Sequence, residues 1–278
     1  MTTLIICLVM LALSTVTGFA WKLLFIYETK RKQNVSMLTT RILLLVTAHP
    51  DDESMFFVPT LKSFHSNYTY ILCLSNGNGD GLGAKRKVEL ETCSSSQFGI
   101  SKDNVFVIDN EKLQDGKSNL WHAEDVSQLV YETLVLVSKR HAKDNGDGEK
   151  HSIMVATFDE HGVSHHPNHV ATHFGVKRFA SQFSEQLISL NAAAYKLYTV
   201  PIAEKFVGPL SFLWNNHTGE DENEASSKWL ENDKFVFVNS DLYKSYRAMA
   251  CHYTQFVWYR RLFITFSRYT FVNNLHRI

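Results

Sequence analysis

Two clusters in the sequence carry side chains of the types that bind metals and move protons. One is Ala48-His49-Pro50-Asp51-Asp52-Glu53, directly after the apolar run Ile42-Leu43-Leu44-Leu45-Val46; the other is His165-His166-Pro167-Asn168-His169. Adjacent carboxylates repel one another and resist burial, so a pair of them at the end of a buried strand needs a compensating charge. Imidazole and carboxylate ligands suit zinc and related divalent ions, and a catalytic centre keeps one coordination position open. His49, Asp52 and His169 would leave that position open, and the cation would keep both carboxylates ionised. Asp51 would then accept a proton from water made more acidic by the ion. His166, three residues before His169, could stabilise an oxyanion or protonate a leaving amine.

Such residues need a frame to bring them together. Short apolar runs alternate with longer helical patterns, which predicts an α/β, Rossmann-like three-layer fold with a mostly parallel sheet. Strands are expected at 41–46, 69–74, 104–108, 152–157, 194–199 and 234–238, with helices near 53–64, 84–98, 123–139, 168–190 and 241–269. Asp144–Glu149 and Asn215–Ser227 read as polar loops. Open parallel sheets bind ligands beyond the carboxyl ends of their strands. The first cluster ends the first predicted strand, and the stretch from Phe158 to His169 ends the fourth.

The loop after the second strand, Gly79-Asp80-Gly81-Leu82-Gly83-Ala84, matches the dinucleotide pattern G-x-G-x-x-G/A. That fingerprint belongs after the first strand of its unit, a place taken here by the acidic cluster. The same region imitates a calcium loop, but its twelfth position is Lys87 where a bidentate Glu is required. A flexible, substrate-facing loop is the expectation.

The chain has 278 residues, with 28 Lys plus Arg against 28 Asp plus Glu. This balance gives no polyelectrolyte signature, and nucleic acid is not expected as a partner. Thr2 to Trp21 carries no charged side chain, and as a helix such a segment reaches about 30 Å, the thickness of a bilayer's hydrocarbon core. No basic side chain precedes it, while Lys22 and Lys30-Arg31-Lys32 follow. A retained anchor with its C-terminal side cytosolic is expected, rather than a cleaved signal. The resulting division is an anchor at 1–25, a linker at 26–40 and one domain at 41–278. Cys7, Cys73, Cys93 and Cys251 show no paired spacing and read as free thiols. The sequons at Asn34, Asn67 and Asn216 are expected to be unmodified in that orientation.

The acidic cluster, the H-x-N-H of His166-Pro167-Asn168-His169 and the tail MACHYTQFVWYRRLFITFSRY resemble the N-acetylglucosaminyl-phosphatidylinositol de-N-acetylases of GPI-anchor biosynthesis, within the LmbE-like zinc deacetylases. The resemblance runs from about residue 40 to the end. It implies zinc on His49, Asp52 and His169, Asp51 as general base, and His166 at the oxyanion or leaving group. Arg86 matches an arginine that the family uses near its substrate; the other reading is a solvated helix charge. The implied reaction is hydrolysis of the N-acetyl group of that glycolipid at the cytosolic face of the endoplasmic reticulum membrane, in a single-pass protein. Alternatives are another N-acetylglucosamine conjugate, an iron oxygenase built on His49 and Asp51, or a membrane-tethered glycan binder without catalysis. One departure is His165, where family members carry Gly, which could demand a different backbone or shift His166. In the tail, Phe256, Trp258, Tyr259, Leu262, Phe263, Phe266 and Tyr269 fall on one helical arc with Arg260, Arg261, Thr265 and Arg268 opposite; packing on the sheet is the expectation, and a helix lying at a membrane surface is the alternative.

Overall fold

Strands made of unbroken β-branched and aliphatic runs must be covered on both faces. The computed structural model describes residues 2–34, 41–142, 151–211 and 234–278. Its elements run α1 (Thr2–Asn34), β1 (Ile42–Thr47), α2 (Asp52–Phe56), α3 (Val58–Leu61), β2 (Thr69–Cys73), α4 (Gly83–Phe98), β3 (Val105–Val107), α5 (Ala123–His141), β4 (Ile153–Phe158), α6 (Gly162–His165), α7 (Pro167–Gln182), α8 (Ser184–Ser189), β5 (Ala192–Leu197), α9 (Ile202–Lys205), β6 (Lys234–Val238), α10 (Leu242–Cys251), α11 (Trp258–Phe266) and β7 (Val272–Arg277). Every residue of β1, β2 and β4 is buried.

Among the described residues these strands form one sheet in the order β3-β2-β1-β4-β5-β7-β6. The pairs from β3 through β5 are parallel, with Leu45 opposite both Ile71 and Ala156. Only β7 runs against its neighbours β5 and β6. Helices cover both faces: α5 packs on α7 in one layer, and α10 packs on α4 and α2 in the other. Gly175 of α7 permits the first contact, since a Cβ there would lie 2.3 Å from the side chain of Val126. The chain winds away from β1 in one direction through β2 and β3 and in the other through β4 and β5, so β1 and β4 flank the switch point where such sheets bind ligands.

The expected α/β fold is present, with three differences of detail. β7 was not expected, because Asn273 and Asn274 conceal its apolar alternation. Asn273 is nevertheless buried and satisfied: its Oδ1 accepts from the Thr60 hydroxyl at 2.8 Å and its Nδ2 donates to the Phe56 carbonyl at 2.8 Å. The helix expected over 241–269 is two helices, because the segment between them bonds elsewhere. Thr254 gives its backbone N–H and its hydroxyl to Glu89, at 3.0 and 2.7 Å. The helices expected at 53–64 and 168–190 are likewise interrupted, at Phe57 and Phe183. Both expected polar loops, at 144–149 and 215–227, lie outside the described residues, as does the sequon at Asn216.

Within α1, Ile5–Ile26 is long and apolar enough to cross a membrane and fits a single span. Its side chains from Ile5 to Phe19 stand clear of the domain, whereas Ala20, Leu24 and Glu28, one helical turn apart, are buried. Leu24 packs with Val238, Phe271 and Val272, and Trp21 meets the Phe271 ring edge-on at 5.6 Å. Glu28 accepts from Lys62 Nζ at 3.1 Å and from the Ser240 N–H at 2.6 Å. The helix therefore continues through Asn34, into the segment expected to be a linker.

Candidate active site

The turn after β1 is built from its own side chains. The backbone N–H groups of Ala48 and His49 donate to Asp52 Oδ2, at 3.1 and 2.8 Å. Asp51 takes a φ of 120°, a conformation that side chains rarely adopt, and its N–H donates to Glu53 Oε2 at 3.0 Å. Arg86 of α4 donates from Nη2 to the Pro50 carbonyl at 2.9 Å and from Nη1 to the Gly77 carbonyl at 2.8 Å. It ties the acidic turn to the glycine loop. Arg86 is 6 % exposed, so it is a buried group rather than a solvated helix charge.

The turn after β4 is organised by Asp159, whose Oδ1 accepts from the N–H groups of His161 and Gly162 and whose Oδ2 accepts from the Thr199 N–H at 2.6 Å. Gly162 has a φ of +56°, and a Cβ there would lie 2.6 Å from His169 Cβ. His165 takes a φ of 58°, the left-handed backbone that glycine favours. His166 caps α7, with Nδ1 accepting from the Asn168 N–H at 3.3 Å and Pro167 supplying the first helical residue. One turn in, His169 donates from Nδ1 to the Gly162 carbonyl at 3.0 Å and stacks on Phe158.

These two turns bring His49, Asp51, Asp52, Arg86, His166 and His169 onto one cavity of about 850 Å³. His169 Nε2 lies 3.2 Å from Asp52 Oδ1, and His49 Nδ1 lies 3.7 Å from Asp52 Oδ2. His49 Nε2, on the far side of its ring, is 3.1 Å from Asp115 Oδ1. Each imidazole thus has its outer nitrogen bonded to an oxygen acceptor and its inner nitrogen turned to Asp52, the arrangement of histidines that hold a metal. His49, His166 and His169 also have ligand atoms within 4.8 Å of one another. The three imidazoles fit a divalent cation, and the Asp52 carboxylate stands beside two of them, His49 and His169.

The electrostatics are tightly linked. Burial disfavours charge on His49, but the Asp115 bond and the nearby carboxylates outweigh it and raise its pKa. Burial also opposes ionisation of Asp52, and the charges of His169 and His49 outweigh it, holding the carboxyl well below its usual range. The His49 bond holds Asp115 down at about 2. Burial, reinforced by His49 and His169, pushes His166 down to about 4.

Several participants were not foreseen from the sequence. Asp115, in an unremarkable loop, bridges His49 and Arg86, with Arg86 Nη1 at 3.2 Å from its Oδ2. Arg260 of α11 forms an ion pair with Asp51. Behind the turn, Glu53 and His252 are both fully buried and share a direct bond of 2.6 Å. Asp115 and Arg260 come from loops and helices distant in the chain, and no local spacing announces them.

A doubly wound α/β sheet with a histidine and carboxylate centre at its switch point defines a protein of the α/β enzyme class, with donors suited to metal-assisted hydrolysis. Residues 44–180 match the family model described as PIG-L, GlcNAc-PI de-N-acetylase. The chain is 33% identical over 270 residues to a Dictyostelium discoideum protein named "Probable N-acetylglucosaminyl-phosphatidylinositol de-N-acetylase", an alignment covering 87% of this chain and 95% of that one. It is 32% identical to the N-acetylglucosaminyl-phosphatidylinositol de-N-acetylase of Bos taurus, covering 84% of this chain and 82% of that one. For the Saccharomyces cerevisiae protein of the same name the identity is 27%, over 82% of this chain and 79% of that one. The chain belongs to the GlcNAc-PI de-N-acetylase family.

Proposed function

We propose that the chain hydrolyses the N-acetyl amide of N-acetylglucosaminyl-phosphatidylinositol, giving acetate and glucosaminyl-phosphatidylinositol, the second step of GPI-anchor biosynthesis. The observation that carries this reading is the convergence of the inner nitrogens of His49 and His169 on Asp52 while Asp115 and the Gly162 carbonyl hold their outer nitrogens. His49, Asp52 and His169 would hold zinc or another divalent ion, which when bound supplies Lewis acidity to the attacking water and the acetyl carbonyl.

The chain's own groups do the rest. Asp51, held at the cavity by Arg260 and Arg86, removes a proton from water as its oxygen bonds to the acetyl carbon, and returns that proton to the nitrogen as the C–N bond breaks. His166 accepts a backbone N–H at Nδ1, so its neutral form carries the proton on Nε2. That tautomer favours donation to the developing oxyanion over protonation of the amine. Arg86 fixes the turn that presents Asp51 and forms the cavity wall against which the sugar would lie.

The apolar segment of α1, followed by Lys22 and Lys30-Arg31-Lys32, supports a single-pass protein of the endoplasmic reticulum membrane. In this reading residues 1–25 anchor, residues 26–40 join, and the domain at 41–278 faces the cytosol. A mobility shift of the native protein on endoglycosidase treatment would overturn that orientation. The enzyme assay measures acetate release from the defined glycolipid, with metal content determined on the same sample. Asp51→Asn should keep the metal and lose turnover; folded, metal-loaded wild-type protein that releases no acetate would refute the assignment.

A further inference from the structure

The tail buries only part of the aromatic arc that its sequence shows, Tyr269 among the buried members. Of α11, Ile264 is fully buried and Phe263 packs on Phe56 and Phe206, but Trp258 is 72 % exposed and Tyr259, Leu262 and Phe266 are each at least half exposed. Beside them stand Ile202 of α9, 77 % exposed, and Phe206 directly after that helix. An apolar surface of this kind on a folded domain marks a place where something binds.

Its position says what binds. α1 leaves the domain at Ala20 to Leu24, where Trp21 meets Phe271 and the helix packs on the turn Gly208–Leu210. A Cβ on Gly208 would touch the Phe271 ring and the carbonyls of Thr265 and Phe266. The last turn of α11 therefore lies against the same small junction from which the apolar helix emerges. Phe25 and Ile26 are exposed on α1 beyond this junction. The exposed Arg261 stands over the Phe256 ring at 4.9 Å, and Lys22 is exposed on α1. Trp and Tyr with flanking cations are the side chains that favour the headgroup level of a bilayer.

We propose that the exposed face of α9 and α11 docks on the surface of the phospholipid bilayer that α1 spans, a proposal that rests on the reading of α1 as a membrane span. The same face forms the outer wall of the cavity, through Ile202, Phe206, Tyr259, Leu262 and Phe266, while His49 and Asp51 line its interior. Docking thus puts the cavity mouth on lipid, so that a substrate with acyl chains reaches the inner carboxylates without leaving the membrane. Because α1 already tethers the protein, the docking face sets orientation and not attachment.

The test uses the full chain, purified alone and reconstituted in phosphatidylcholine and phosphatidylserine vesicles. Trp258 and Arg261 lie outside the cavity wall, and the double variant Trp258→Asp/Arg261→Glu should lower turnover of vesicle-borne glycolipid by at least about tenfold through a raised KM. Its turnover of the water-soluble headgroup lacking acyl chains should match wild type. Equal losses on both substrates, or no loss on either, overturn the proposal, and the latter outcome would leave the face to a protein partner or a second copy. A second readout does not need turnover. The emission difference between wild type and Trp258→Phe should be quenched by brominated phosphatidylcholine and shielded from aqueous iodide; the reverse pattern overturns docking even if the protein proves inactive on every substrate.

Discussion

Replacing His252 with leucine should cost both stability and turnover, although His252 does not line the cavity. Its imidazole and the Glu53 carboxylate are fully buried and lie 2.6 Å apart. Burial disfavours charge on each, yet the pairing wins: the His252 pKa is raised and that of Glu53 is lowered. In the leucine variant Glu53 keeps the Ser54 hydroxyl at 2.6 Å and the Asp51 N–H at 3.0 Å but loses its cation. Leaving one partner of a buried pair uncompensated costs about 3–5 kcal/mol. If Glu53 turns away or takes up a proton, Asp51 loses the acceptor that stabilises its φ of 120°, and a displacement of the base by about 1 Å lowers turnover roughly 100-fold. The sign of the pH dependence follows from His252. Its folded pKa is raised, so its contribution is complete below its unfolded value of about 6.5 and is lost as pH rises through the folded value. The stability gap between wild type and variant should therefore narrow under alkaline conditions. Denaturant unfolding of the full chain in micelles across pH, with turnover on the same samples, measures both effects. A stability loss below about 1 kcal/mol with unchanged turnover would refute the reasoning, as would a gap that widens as pH rises through the alkaline range.

Asp115→Asn removes the charge behind His49 Nε2, and metal affinity by competition with a chelator should fall about 10–100-fold while the fold, followed by circular dichroism, is retained. His165→Gly should leave turnover unchanged and raise stability by about 0.5–1 kcal/mol in thermal unfolding, because relief of a left-handed backbone worth about 1–2 kcal/mol exceeds the added freedom of the unfolded chain. Among Cys73, Cys93 and Cys251, a maleimide near neutral pH should label Cys251 first. The Cys93 bond lowers the Cys251 thiol to about 6, whereas burial raises the other two.

Much of the frame was legible in the sequence because it is written at short range. Continuous apolar runs such as ILLLVT and IMVATF mark strands covered on both faces, and their alternation with helical periods implies parallel crossovers. The two histidine and acid clusters could be placed on one edge because that edge follows from strand direction alone. β7 escaped this reading, since its buried Asn273 is matched to Thr60 and Phe56 rather than to its own neighbours in sequence. The tail arc was legible as a pattern, but its burial was not: His252 and Thr254 bond into the domain and break the helix, and that leaves Trp258 and Leu262 facing outward.

The sequence by itself determined the α/β class and the short segments that hold His49, Asp51, Asp52, His166 and His169, because periodicity and adjacency are properties of neighbouring residues. Only the tertiary structure decided which nitrogen of His49 and of His169 faces Asp52, that Arg86 is buried, and that Asp51 meets an arginine 209 positions away. Those outcomes depend on electrostatics between elements that touch only after the sheet has formed, and the free energy of a buried charge is set by what surrounds it in space.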